Sequence, residues 1–172
     1  LYTCQSYVWY AFIRQDFLEY YRYAQKLVDL FEEYPLMKRV ETSHYIKSIH
    51  YLQNAHFDLR NHRGFEKTLK YFEKAAQTAR VKDHDNFRMQ AFIYISQARI
   101  NQHFMRGTFK EGLAIIPGIE KELKEYSLFL DSHRVLVLNY KFAMLYFGSG
   151  DYNHCIDYLQ QIINDKTNLR YD

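Results

Sequence analysis

Gly148-Ser149-Gly150-Asp151 is the stretch of this 172-residue chain whose types and spacing come nearest to a phosphate-binding loop. A Walker loop needs GxxxxGK[ST] behind a strand, so that backbone amides wrap the phosphates and a lysine reaches the outer one. No Lys-Ser/Thr pair follows here. A dinucleotide fingerprint needs a third glycine, and position 153 is Asn153. A turn suits the residues better: glycine takes positive φ to end one helix, and Asp151 caps the next. His44, His50, His56 and His62 recur at a regular interval of six residues, which on a helix advances about 600° and turns each ring about 120° from the last. They cannot converge on a metal, and no two histidines stand three or four apart, as a helical zinc pair requires. The carboxylates Glu120, Glu122 and Glu125 alternate with Lys121 and Lys124, the pattern of a solvated helix face, as do Glu32-Glu33 and Asp83/Asp85 with their basic neighbours. Asp131, Ser132 and His133 are consecutive, which suits a helix cap and not a triad. The sequence therefore predicts no catalytic residue, no metal and no cofactor, and a non-enzyme.

The composition points to the elements that carry these residues. Seventeen Tyr and thirteen Phe supply the burial that disordered chains lack, whereas six Gly and two Pro are too few for a turn-rich β fold. The net charge of +3 is dispersed and forms no basic stripe, so nucleic acid is not an expected partner. Cys4 and Cys155 sit in apolar-patterned segments and are expected to be buried free thiols in a reducing, cytoplasmic setting. Val135–Phe147 is too short to span a membrane and carries Asn139 and Lys141.

Apolar residues follow helical spacing nearly throughout. Tyr152, Cys155, Ile156, Leu159, Ile162 and Ile163 form one stripe; Tyr45, Ile49, Leu52 and Leu59 form another; Phe65, Leu69, Phe72, Ala76 and Ala79 form a third. Breaks are expected at Tyr34-Pro35, Arg63-Gly64 and Arg106-Gly107, and caps at 83–86 and Asp131-Ser132. The spacing predicts eight helices: 2–14, 17–33, 41–62, 65–82, 86–105, 109–129, 132–147 and 152–165. Pro117-Gly118 is expected to kink the sixth. An aromatic follows each inner turn (Phe17, Phe65, Phe109 and Tyr152) at spacings of 48, 44 and 43 residues. The expected fold is an all-α superhelix, a solenoid of about four antiparallel helical hairpins at approximately 1–34, 40–82, 86–130 and 131–166, forming a single domain.

The last unit resembles a tetratricopeptide repeat. Ala143 and Tyr146 fit that family's pattern on helix A, Gly150 and Tyr152 fit its turn, and Cys155 and Leu159 fit helix B, with Ile162 where Ala is usual. Gly107, Phe109, Gly112 and Ile116 fit in the third unit. In the second, Phe65, Phe72 and Ala75 fit, with Thr68 in place of Ala. The first departs most, with Tyr20 where a small residue is expected. GTFKEGLAIIPGIEKELKEY, YKFAMLYFGSGDY and YLQQIINDKTNLRYD are also similar to uncharacterised bacterial tetratricopeptide-like proteins. The resemblance implies right-handed stacking and a concave surface lined by the A helices. It places Gln5, Gln53, Gln97 and Tyr140 at one level of that surface and Trp9, Phe57, Asn101 and Met144 at the next. The expected function is a scaffold binding a protein or peptide along this column. The alternatives are a peptide-sensing regulatory module of a larger protein and a helical-repeat nucleic-acid binder. The LRYD at 169–172 would open another A helix, so the chain is expected to be a piece of a longer one, with oligomers possible through its exposed repeat ends.

Overall fold

The computed structural model describes residues 1–126 and 132–165. These residues form helices α1 (Tyr2–Ile13), α2 (Phe17–Glu33), α3 (Met37–Val40), α4 (Thr42–Asp58), α5 (His62–Ala76), α6 (Ala79–Lys82), α7 (Asp85–Arg106), α8 (Phe109–Glu125), α9 (Ser132–Ser149) and α10 (Tyr152–Ile163). Among the described residues there is no strand, so the all-helical expectation holds. No helix among them is long and apolar enough to cross a membrane. Asp131 and LRYD, the expected cap and the expected next helix, lie outside the described residues.

The chain divides into two compact units, 1–98 and 99–172. In the first, α1 and α2 bury Val8, Ala11, Tyr20, Ala24, Leu27 and Val28 against Leu52 and Ala55 of α4. A second cluster joins Phe31, Tyr45, Ile46 and Ile49 to Phe72 and Ala75 of α5, Val81 of α6 and Ala91 of α7. Along α5 the buried residues Phe65, Thr68, Leu69, Phe72 and Ala75 follow the i, i+3, i+4, i+7 spacing of one helical face. In the second unit Ile100, Ile116, Ile119, Leu138, Phe142, Leu145 and Cys155 are buried. There Tyr158 of α10 packs edge-on against Phe142 of α9 and donates from its hydroxyl to Glu120 of α8 at 2.8 Å.

The hairpin turns share one backbone form. Gln15, Arg60, Gly107 and Gly150 have φ of 56°, 53°, 69° and 85°, and the next residue starts the following helix as its N-cap. Asp16, Asn61 and Asp151 accept from the backbone N–H three residues on, which satisfies a donor the first helical turn leaves open. Thr108 instead sets its hydroxyl 2.9 Å from the His103 imidazole.

Three expectations are corrected. The second turn lies at Leu59-Arg60-Asn61, not at Arg63-Gly64, because Asn61 is the side chain that can cap a helix. The residue matching Phe17, Phe109 and Tyr152 is therefore His62, and Phe65 lies one helical turn inside α5. Gly64 serves space and not conformation: a Cβ there would lie 2.6 Å from Nδ1 of His56. The expected helices 41–62 and 65–82 are shorter than the spacing implies. α4 stops at Asp58 and α5 at Ala76, and the short helices α3 and α6 fill the links. Gly148 does not end a helix either. It lies within α9, where the Phe109 ring occupies the space a Cβ would need, and Gly150 makes the turn.

Candidate functional site

The predicted column divides by residue type. In unit 1, Trp9 is half exposed and Gln5 partly so, but Gln53 and Gln97 are buried. Gln53 is fully enclosed and donates from Nε2 to the Phe65 carbonyl at 3.2 Å. Phe57 is half-buried with the Arg60 guanidinium 5.0 Å above its ring. In unit 2, Asn101 is buried, whereas Tyr140 is exposed and Met144 partly so. Three of the four amides that were to pair with a bound backbone, Gln53, Gln97 and Asn101, are thus interior. The 3.6-residue period explains this for α4: Gln53 follows Ile49 by one turn and shares its inward face.

The outward positions of α4 are Lys47, His50, Tyr51 and Asn54, all partly exposed. They complete a run of rings across three helices of unit 1. The Trp9 indole of α1 meets Tyr51 of α4 edge-on, with centroids 6.2 Å apart. Tyr51 neighbours His50 at 6.4 Å. His50 stacks on Tyr94 of α7 at 3.9 Å, with the planes 9° from parallel. Asn54 Nδ2 lies 3.1 Å from His50 Nε2 and fixes the ring. Burial and the neighbouring Tyr94 hold the Tyr51 phenol above its ordinary pKa, against side-chain hydrogen bonds from Gln5 and Trp9. The face is rich in flat, half-exposed ring area, which suits binding. Tyr51, His50 and Tyr94 escaped sequence reasoning. The signal for Tyr51 and His50 was their place opposite the Tyr45–Ile49–Leu52 stripe.

Comparison with protein-family models, with characterised proteins and with solved structures returns no match. The reading therefore rests on the chain's own residues.

A second feature of unit 1 is a cavity of about 540 Å³ lined by α2, α4 and α5. At one end Glu32 accepts from Lys38 at 2.7 Å and from the Tyr71 hydroxyl, and Tyr71 meets the Tyr45 hydroxyl at 2.7 Å. Burial pulls the Glu32 carboxyl upward, but the bonds from Lys38 and Tyr71 outweigh it and hold its pKa below the usual range. His56 lines the floor. Only 5% of it is exposed, and burial lowers its pKa, so the ring is neutral at pH 7. Among the described residues His56 is the one buried histidine, because it falls on the inward face of α4.

No group of three or more His, Cys, Asp or Glu is placed to hold a metal among the described residues. Cys4 is half-buried and Cys155 buried, and both are free thiols.

Proposed function

We propose that the chain is a non-enzymatic helical-repeat module that binds a protein or peptide segment along the aromatic face of α1, α4 and α7. The run Trp9–Tyr51–His50–Tyr94 carries this reading. Rigid rings give contact area at little entropic cost, and Trp and Tyr dominate binding hot spots. Gln5 and Asn54, at the border of the rings, supply amides for a bound backbone. The four equivalent turns support the accompanying fold reading, a tetratricopeptide-like solenoid. The free thiols suit a cytoplasmic setting.

The test is partner capture by the full chain and by the Trp9→Ala/His50→Ala double variant, with partners identified by mass spectrometry and affinities measured on the purified pair. Loss of two of the four rings should weaken binding by about 30-fold or more, at the ~2 kcal/mol level of a hot spot, with helicity unchanged. Equal affinity in the variant overturns the proposal.

A further inference from the structure

The cavity between α2 and α5 shares no residue with the aromatic face and has a chemistry of its own. Its volume of about 540 Å³ falls within the ~300–1,000 Å³ of small-ligand sites. Its charges are separated by wall. α2 presents Asp29 and Glu32, and α5 presents Arg63 and Lys67. Glu32 is kept ionised by Lys38 and Tyr71. Neither Arg63 nor Lys67 has an ion-pair or hydrogen-bond partner among the described residues. Between the walls sits His56, whose buried Nδ1 lacks any hydrogen-bond partner. Gly64 leaves room for that edge of the ring, since a Cβ would lie 2.6 Å from Nδ1. Tyr21 packs against the same imidazole with centroids 5.2 Å apart and also lines the cavity. That edge of the ring faces Gly64 and is closed to solutes, so the charged walls and the rings of Tyr21 and Tyr71 are what the cavity offers a ligand.

We propose that this cavity binds a short zwitterionic peptide, with its ammonium on the α2 wall at Asp29 and Glu32 and its carboxylate on the α5 wall at Arg63 and Lys67. Tyr21 and Tyr71 flank the bound chain with aromatic faces, which also favour an ammonium. Opposed charges select a ligand bearing both signs over a simple anion or cation, because each lone charge meets an unfavourable wall.

The experiment is an NMR titration of the ¹⁵N-labelled chain with the dipeptide Ala-Phe, its N-acetylated form, its C-amidated form and inorganic phosphate. The expected result is saturable shifts at Gly64, His56 and Thr68 with the free dipeptide in the millimolar range. Blocking either end should weaken binding about ten-fold, the loss of one charge-assisted contact. Arg63→Glu/Lys67→Glu, at two exposed positions, should abolish the shifts while far-UV circular dichroism stays unchanged. Absence of saturation by about 10 mM dipeptide, weaker than any useful site, overturns the proposal. So does equal binding of the blocked forms, or phosphate binding as tightly as the dipeptide. Because the two sites share no residue, this failure and a failure of the aromatic face are read separately.

Discussion

The two units make the same turn with opposite kinds of residue. In unit 1 the left-handed position holds Gln15 or Arg60, and the residue five further on, Tyr20 or Phe65, is a buried aromatic. In unit 2 those positions hold Gly107 or Gly150 and Gly112 or Cys155. A side chain in the left-handed region costs roughly 1–2 kcal/mol, which glycine avoids. Unit 1 bears that cost and fills the inner corner of its hairpins with rings. Unit 2 has relaxed turns and fills the corner from neighbouring residues: a Cβ on Gly112 would lie 2.9 Å from His103 Cβ and 3.0 Å from a Leu145 methyl. The backbone solution is common, and the source of packing volume is not.

The sharpest way to break this contrast is Phe65→Ala, which should cost about 3–5 kcal/mol, as for other fully buried rings. Cys155→Ala, the matching change in unit 2, should cost about 1 kcal/mol. Urea midpoints of the two variants check the pair, and equal losses would dissolve the contrast. Next is Gly148→Ala. The Phe109 ring must leave its seat, a strain of about 1–3 kcal/mol, read as faster amide exchange in α8 and α9. Third is acid sensitivity. His56, in unit 1, is the buried histidine among the described residues, and Asp29, Glu32, Arg63 and Lys67 share its cavity. Its folded pKa lies below the unfolded value, so on acidification the unfolded chain takes the proton first. Stability from this ring is complete above the unfolded pKa and declines as pH falls below it, by at most about 1.4 kcal/mol per pH unit. His56→Phe should flatten the thermal midpoint between pH 7 and 5; an unchanged slope removes His56 as the cause. Smallest is the turn itself. Gln15→Gly should stabilise by about 0.5 kcal/mol, strain relief less the entropy of glycine, and Gly107→Gln should lose about 1 kcal/mol. Calorimetry on the two variants checks the opposite signs.

Helical class was legible because the apolar spacing is helical almost everywhere, and the turns at Gly107 and Gly150 because glycine advertises positive φ. The turn at Arg60 was not legible, since nothing in its side chain announces a left-handed backbone, and Gly64 nearby offered a better-looking signal. The candidate face was half legible. Trp9 is half exposed and Gln5 partly so. Gln53 and Gln97 are buried, because a polar side chain on a helix says nothing about which way it points until its neighbours are known. α10 shows the same limit from the apolar side. Its stripe is apolar at helical spacing, yet Cys155 is buried while Ile156, Leu159 and Ile163 are 50%, 37% and 80% exposed. A stripe states what would gain from being covered, not what covers it.

The chain contains one tryptophan, and it is Trp9, half exposed at one end of the ring run. Its intrinsic emission is therefore a built-in optical probe of that face. A segment laid across Trp9 and Tyr51 would move the indole from water into a drier setting and shift its spectrum to the blue. A solute entering between α2 and α5 would leave the spectrum where it was. A cuvette and the unlabelled protein are enough to tell which surface a given molecule has found.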